Sequence, residues 1–201
     1  LKKKGGMNMA VRKEKQQWTY KDYMNLPEEV RLEVLDGDIM NMVPAPTPAH
    51  QRVQRYLLAC FSNYLNGKTC EVFGAPIDVC LFAKKETDPS TIKSWVQPDL
   101  LVVCGQEKIG DHYIVGAPDL VVEILSPSTA KIDRVVKFHL YESAKVREYW
   151  IVDPLNEYVE TFLRGENGFS MKNIYANEDT IDVGIFPDLK IPLNQIFMSS
   201  K

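Results

Sequence analysis

The pattern of apolar and polar positions, with its flanking cap residues, predicts three helices. Apolar residues follow helical spacing in the longest of them. They recur every three or four positions from about Pro48 to Leu65, which predicts an amphipathic helix. A second helix is predicted over about Thr129–Ala144, after a Ser-Pro-Ser-Thr sequence that ends an apolar run. A short helix is predicted within Trp18–Leu26, where Thr19 and Asp22 have the spacing of a capping box.

Two continuous apolar runs, Pro98–Val103 and Pro118–Leu125, predict strands that are buried on both faces. Further strands are predicted as a hairpin at Leu32–Met40 around Asp36-Gly37, a strand pair of Glu71–Ala75 with Pro76–Ala83, a strand at Glu148–Asp153, a hairpin of Glu157–Leu163 with Phe169–Tyr175, and a short strand with a last turn in Thr180–Phe197. This order predicts an α/β or α+β domain in which a mixed central sheet has a helix on each face, with extra β-hairpins at both ends.

Composition and charge limit the possible classes of protein. The 201 residues are 45% hydrophobic, and no apolar run approaches the roughly 20 residues of a membrane span, so a transmembrane protein is excluded. Residues 1–17 hold six basic residues and one acidic residue, and we expect a disordered basic tail or a remnant of cloning there. Residues 18–201, predicted to be a single domain, hold 18 basic and 26 acidic residues, a net charge of −8. This balance is unlike that of a generally basic nucleic-acid-binding domain.

The four cysteines do not have the spacing of a zinc site. Cys60, Cys70, Cys80 and Cys104 form no C-x-x-C pair, and no histidine lies near them in ligand spacing. We therefore expect buried free thiols in the reducing environment of a cytoplasmic protein.

Acidic residues at buried strands are the main candidates for chemistry. Glu123 lies within an apolar strand, where an unpaired carboxylate would cost several kcal/mol. A basic partner, a proton or a metal ion must compensate it, and a purely structural ion pair is one alternative. Asp99 begins the other buried strand. Because neighbouring strands lie about 4.8 Å apart, the two carboxylates could share a hard cation such as Mg²⁺ or Mn²⁺.

These motifs resemble the PD-(D/E)xK nuclease superfamily and, within it, the Uma2 endonuclease family. The matching stretches are LEVLDGDI (32–39), PAHQ (48–51), PIDV (76–79), QPDLLVV (97–103), GAPDLVVEILSPST (116–129) and EYWIVDP (148–154). The resemblance covers roughly residues 18–197 and is specific only when the motifs are taken together. It implies a restriction-endonuclease-like αβββαβ core and phosphodiester hydrolysis that depends on Mg²⁺ or Mn²⁺, with Asp99 and Glu123 as metal ligands.

The lysine of the superfamily motif is displaced in this chain. Leu125 stands two residues after the acid, where the lysine is normally found. Some members supply it from the following helix, and Lys137 is the first candidate because Asp133, Lys137 and Tyr141 recur on one helix face. Lys131 is the second candidate, and an exposed salt bridge between Lys137 and Asp133 is the structural alternative.

Two further residues are candidate catalytic groups. Glu33 could complete the metal shell, as an acid from the N-terminal region does in many superfamily members, or it could be an ordinary surface glutamate. His50 begins the helix after a proline-rich loop, where it could contact phosphate, donate a proton or only fix the loop.

The leading hypothesis is a metal-dependent endonuclease whose substrate is DNA, and a homodimer is expected because nucleases that cut both strands often dimerise. The alternative is a catalytically weak or inactive relative that binds nucleic acid or a protein partner. A glycosidase would also use paired carboxylates, but no aromatic cluster near Asp99 or Glu123 favours it.

Overall fold

The computed structural model describes residues 17–42 and 46–197 of the chain, so most of the predicted basic tail lies outside the described residues. The α-helices are α1 (Tyr20–Met24), α2 (Pro48–Leu65) and α3 (Phe138–Ala144). The strands are β1 (Leu32–Leu35), β2 (Asp38–Met42), β3 (Glu71–Gly74), β4 (Val79–Cys80), β5 (Leu100–Val103), β6 (Ile114–Val115), β7 (Leu120–Ile124), β8 (Glu148–Asp153), β9 (Tyr158–Gly165), β10 (Gly168–Ala176), β11 (Thr180–Asp182) and β12 (Lys190–Pro192).

A six-stranded mixed sheet in the order β10-β9-β8-β7-β5-β3 forms the centre of the fold. β7 is parallel to β8, and every other neighbouring pair in this sheet is antiparallel. Every residue of β5 and β7 is buried, because both faces of these strands are covered. The predicted mixed central sheet and its two buried strands are confirmed.

The two faces of the sheet carry different helices. Val122 and Ile124 face the side where α2 packs, together with the segment that contains β11 and β12. Val121 and Leu125 face the opposite side, where α3 packs. Since alternate strand residues point to opposite faces, Glu123 lies on the α3 side.

The N-terminal elements follow the sequence pattern closely. Thr19 caps α1 in a capping box with Asp22, and β1 pairs with β2 as an antiparallel hairpin across Asp36-Gly37. Val34 of β1 also exchanges backbone hydrogen bonds with Trp95, which ties the hairpin to the chain segment that leads into β5.

The structure differs from the predicted elements in two places. β3 and β4 do not pair with each other: β3 pairs with β5, while β4 pairs in parallel with β6, a strand too short to give a periodic pattern. In the predicted helix over residues 129–144, the segment Ile132–Lys137 is π-helical, and α3 continues from it.

The free-thiol prediction is wrong for two of the four cysteines. Cys70 and Cys104 form a disulfide, while Cys60 and Cys80 are free. The register of β3 and β5 sets Glu71 opposite Val103, so the residues just beyond them meet across the two strands. Strand register brings these cysteines together across 34 residues, which local spacing rules do not detect. The expectation of a cytoplasmic protein therefore no longer has the support of four free thiols. Within the described ranges, no helix is long and apolar enough to cross a membrane.

Candidate active site

The antiparallel register of β5 and β7 places Asp99 opposite Glu123. Leu100 pairs with Val122, so the next position on each strand brings the two acids face to face. Residues directly opposite in an antiparallel pair point to the same face. The backbone N–H of Ile124 donates a 2.7 Å hydrogen bond to Asp99 Oδ2, which fixes this carboxylate at the end of β7.

Glu123 is buried and hydrogen-bonded from the helical side. Its Oε1 accepts from Tyr141 Oη at 2.5 Å and from Lys137 Nζ at 3.0 Å. Burial raises the pKa of Glu123 well above its usual range, the Lys137 ammonium opposes this, and the neighbouring carboxylates reinforce it.

Lys137 lies at the centre of the buried acids with 4% of its surface exposed. Its Nζ is 2.8 Å from Glu33 Oε1, 3.0 Å from Glu123 Oε1 and 3.6 Å from Asp133 Oδ1. Burial alone would lower the pKa of Lys137, but the three acids outweigh it and keep the pKa well above its usual value, so the side chain stays cationic. We call Glu33, Glu123, Asp133 and Lys137 the acid–lysine cluster.

The structure separates the two candidate lysines. Lys137 makes a buried contact with three acids, so the alternative of an exposed salt bridge with Asp133 is wrong. Lys131 is exposed and lies outside the acid–lysine cluster.

Glu33 is brought to the acid–lysine cluster by β1. It is 1% exposed, so the alternative of a surface glutamate is wrong. Its Oε1 accepts the backbone N–H of Gln97 at 2.8 Å as well as the Lys137 ammonium. Its Oε2 is buried and has no hydrogen-bond partner among the described residues, which is costly for a carboxylate oxygen.

The π-helical segment accounts for the placement of Asp133 and Lys137. Both side chains point into the protein, and the Asp133 backbone carbonyl accepts a hydrogen bond from Tyr149 Oη at 3.1 Å. Burial raises the pKa of Asp133, while Lys137 opposes the shift. Single π-helical turns inside helices are frequent at functional sites, because they rearrange side chains that a regular helix would place elsewhere.

Two residues of α2, His50 and Gln54, contact Asp99. The sequence analysis identified only His50. His50 Nε2 lies 3.1 Å from Asp99 Oδ2, and its Nδ1 is buried without a partner among the described residues. Gln54 Nε2 donates to the Asp99 backbone carbonyl at 2.7 Å. The four-residue spacing of His50 and Gln54 places both on one face of α2, and this spacing could have identified Gln54 in the sequence.

The donor set is compatible with a hard divalent cation at Asp99 and Glu123. In the described parts of the chain, no three His, Cys, Asp or Glu side chains are already arranged as a metal-binding group. However, only Oδ2 of Asp99 and only Oε1 of Glu123 take part in the described hydrogen bonds and ion pairs, so the second oxygen of each carboxylate has no described partner. Glu33 Oε2 also has no described partner. Mg²⁺ commonly uses one or two protein carboxylates and fills its other positions with water and phosphate oxygens.

Three comparisons place this chain among known proteins. The sequence model of the Uma2 family, described as "Putative restriction endonuclease", matches residues 20–194. A crystal structure from Anabaena variabilis, described as a putative nuclease of DUF820, superposes with a TM-score of 0.68 at 18% identity and covers 90% of this chain and 97% of its own. An uncharacterized protein of Synechocystis sp. is 25% identical over 152 residues, 75% of each chain. The structural match shows a shared fold.

Proposed function

Because the chain belongs to the Uma2 family, we propose that it is a nuclease: an endonuclease that hydrolyses phosphodiester bonds of DNA and depends on Mg²⁺ or Mn²⁺. The observation that carries the proposal is the position of Lys137 between the buried acids Glu33 and Glu123. Asp99 lies opposite Glu123 in the strand pair, and its carboxylate is partly exposed, so a metal ion or substrate can reach it from solvent.

Asp99 and Glu123 are the residues that would hold the divalent ion. When bound, such an ion supplies positive charge to the phosphoryl group and lowers the pKa of a bound water. The strand register keeps the two carboxylates on one face, and the Ile124 N–H holds Asp99 in place. Burial keeps the carboxylate of Glu123 out of bulk water, which strengthens its attraction to a cation.

Lys137 contributes a fixed positive charge. Its ammonium would orient the attacking water or stabilise the negative charge that develops on the phosphorane. Glu33 and Asp133 keep that ammonium in position, so their proposed role is to place Lys137 rather than to contact substrate.

His50 is the proposed contact to the phosphate or the leaving group. Its Nε2 lies against Asp99, and its side chain is 12% exposed at the beginning of α2. A histidine in this position can act as a general acid toward the departing oxygen.

The direct test is cleavage of plasmid and linear DNA, and of RNA, by the purified protein with Mg²⁺, Mn²⁺ or EDTA. We expect nicking or linearisation of DNA with either metal and none with EDTA. Absence of cleavage of every substrate with both metals would contradict the proposal.

Light scattering on the same sample tests the expected homodimer, for which a mass of twice 23.0 kDa is expected.

A second candidate function is a nuclease-fold protein that binds nucleic acid or a protein partner without cleaving. The engagement of Lys137 with three acids favours it, because these carboxylates already balance the positive charge of the ammonium. Calorimetric titration with Mn²⁺ separates the two candidates. Binding that is lost in Asp99→Asn supports the nuclease, whereas no binding by the wild-type protein supports the non-catalytic function.

A further inference from the structure

One part of this acidic chain carries only basic charges. No Asp or Glu occurs between Asp38 and Glu71, whereas Arg52, Arg55 and Lys68 lie within that interval. This interval contains α2, the helix that holds Asp99 through His50 and Gln54. Arg52 and Arg55, in the first half of α2, therefore give this side of the candidate site the positive charge that a polyanion requires, although residues 18–201 have a net charge of −8.

Arg52 and Arg55 line a groove on the outer side of α2. Both side chains are exposed, and neither forms an ion pair with another described residue. Both line a cavity of about 480 Å³ whose wall includes Gln54, Gly74 and Ala75. Both also line a second cavity of about 380 Å³. Because the two cavities share these arginines, we call the two cavities together the arginine groove.

The arginine groove adjoins the proposed metal ligand. Gln54 Nε2 and the backbone N–H of Ala75, both from its wall, donate to the Asp99 carbonyl at 2.7 and 3.0 Å. A chain lying in the groove would therefore pass beside Asp99. Pro48, two residues before His50 at the beginning of α2, also lines the groove.

We propose that the arginine groove binds the phosphodiester backbone of the nucleic-acid substrate and directs it to Asp99. This inference rests on the proposed nuclease function. Arg52 and Arg55 are three residues apart, about 4.5 Å along the helix axis and on one face. Successive phosphates of a DNA strand rise about 3.4 Å each, so the two guanidinium groups can contact neighbouring phosphates. A guanidinium group can donate two parallel hydrogen bonds to the oxygens of one phosphate. Such contacts suit a site that recognises the nucleic-acid backbone rather than the base sequence.

The test is the salt dependence of binding, measured by fluorescence anisotropy of a labelled DNA duplex in EDTA so that no cleavage interferes. Each phosphate contact contributes about 0.9 to the slope of log affinity against log salt concentration. For Arg52→Gln/Arg55→Gln we expect the slope to fall by about 1.8 and the affinity to fall roughly 60-fold at 0.1 M salt. Arg52→Lys/Arg55→Lys keeps the charge and should retain most of the salt slope.

The matched control is Lys84→Gln/Lys85→Gln, which removes the same charge from two exposed residues that do not line the groove. A control that loses as much slope as the arginine variant would overturn the groove proposal, because the effect would then reflect net charge. Unchanged binding by the arginine variant would also overturn it. Single-stranded DNA and RNA probes in the same series identify which backbone is preferred.

Failure of the groove and failure of the nuclease proposal give different results. If the wild-type protein cleaves DNA and the arginine variant keeps the wild-type KM, the groove proposal is wrong while the nuclease proposal stands. If the arginines support salt-dependent binding but no metal supports cleavage, the nuclease proposal is wrong and the groove is a binding site.

Discussion

At the scale of single residues, the acid–lysine cluster contains residues that could be predicted from the sequence and one, Glu33, whose burial could not. Glu123 was recognisable because an acid inside an apolar strand demands compensation, and its compensating cation is Lys137. The burial of Glu33 was not predictable from its own surroundings in the sequence, since an acid in a short hairpin strand is compatible with either face. Its burial depends on tertiary contacts with the Gln97 backbone and with Lys137, both distant in the sequence.

Removal of the Lys137 charge is predicted to destabilise the fold. Lys137→Met leaves three buried carboxylates without their cation, and breaking a buried ion pair from one side costs about 3–5 kcal/mol. Urea unfolding of the two proteins measures the difference. Lys131→Met, at an exposed position six residues before Lys137, should change the free energy of unfolding by no more than about 0.5 kcal/mol. Equal effects of the two substitutions would contradict the buried position of Lys137.

Asp78 is predicted to make the protein less stable as pH rises from about 4. Burial raises its pKa, and hydrogen bonds from Gln97 and Tyr20 oppose this only in part. A carboxyl with a raised folded-state pKa binds its proton more tightly in the folded protein. Its stabilising contribution is complete below the unfolded-state pKa and is lost as pH rises through the folded-state pKa.

The variant Asp78→Asn should therefore gain stability relative to the wild-type protein as pH increases from about 4 to 7. Thermal unfolding across this range measures the trend. Asp88→Asn is the control, because hydrogen bonds from Ser90 lower the pKa of Asp88; the stability of that variant relative to the wild-type protein should change little between pH about 4 and 7 and shift mainly below pH about 4. If the stabilities of both variants relative to the wild-type protein changed in parallel with pH, the raised pKa of Asp78 would be contradicted.

At the scale of elements, helices and central strands were predictable because their periodic patterns extend over enough residues. β4 and β6 have two residues each, so no pattern exists to read, and their pairing depends on the surrounding fold. The π-helical turn before α3 was not predictable, because the spacing of Asp133 and Lys137 also fits an ordinary α-helix. The Cys70–Cys104 disulfide likewise follows from strand register.

Glu148 of β8 is predicted to anchor the segment between β11 and β12 to the sheet. Its fully buried carboxylate accepts hydrogen bonds from the backbone N–H groups of Gly184 and Ile185 and from the Trp150 indole. Each hydrogen bond to a charged group contributes about 1.5–3 kcal/mol, so Glu148→Ala should lower the free energy of unfolding by about 3 kcal/mol or more.

Hydrogen exchange checks this anchoring role locally. The amides of Gly184 and Ile185 should exchange much faster in Glu148→Ala than in the wild-type protein, while amides of β7 should change only as global stability does. Glu148→Gln, which retains one acceptor oxygen, should show a smaller effect. Unchanged protection at both amides would refute the anchoring role.

At the scale of the whole molecule, charge is divided between an acidic body and a basic interval. The net charge of −8 over residues 18–201 argued against a nucleic-acid partner, but it averages over the surface that contains Arg52 and Arg55. Composition could not reveal this division, because it depends on where α2 lies relative to Asp99. The part of the site in and around β5, β7 and the helix after them was predictable, whereas the contribution of α2 beyond His50 was not.

A divalent cation is predicted to stabilise the folded protein even without substrate. An ion that binds only the folded state raises the free energy of unfolding by about 2.7 kcal/mol at a concentration 100 times its Kd. We expect Mn²⁺ to raise the Tm of the wild-type protein and to leave that of Asp99→Asn nearly unchanged. An equal rise for both proteins would show that the ion binds away from Asp99.

The central claim is that Asp99 is a ligand at the centre of a metal-dependent nuclease, and cleavage by one matched pair of variants tests it most directly. Asp99 and Asp119 each follow a proline before a buried strand, but Asp119 accepts hydrogen bonds from Cys104 N–H and Arg147 instead of facing Glu123. With Mn²⁺ and plasmid DNA, and with folding verified by circular dichroism, we predict that Asp99→Asn cleaves at least about 100-fold more slowly than the wild-type protein. Asp119→Asn should cleave at close to the wild-type rate. Wild-type cleavage by Asp99→Asn would contradict the claim.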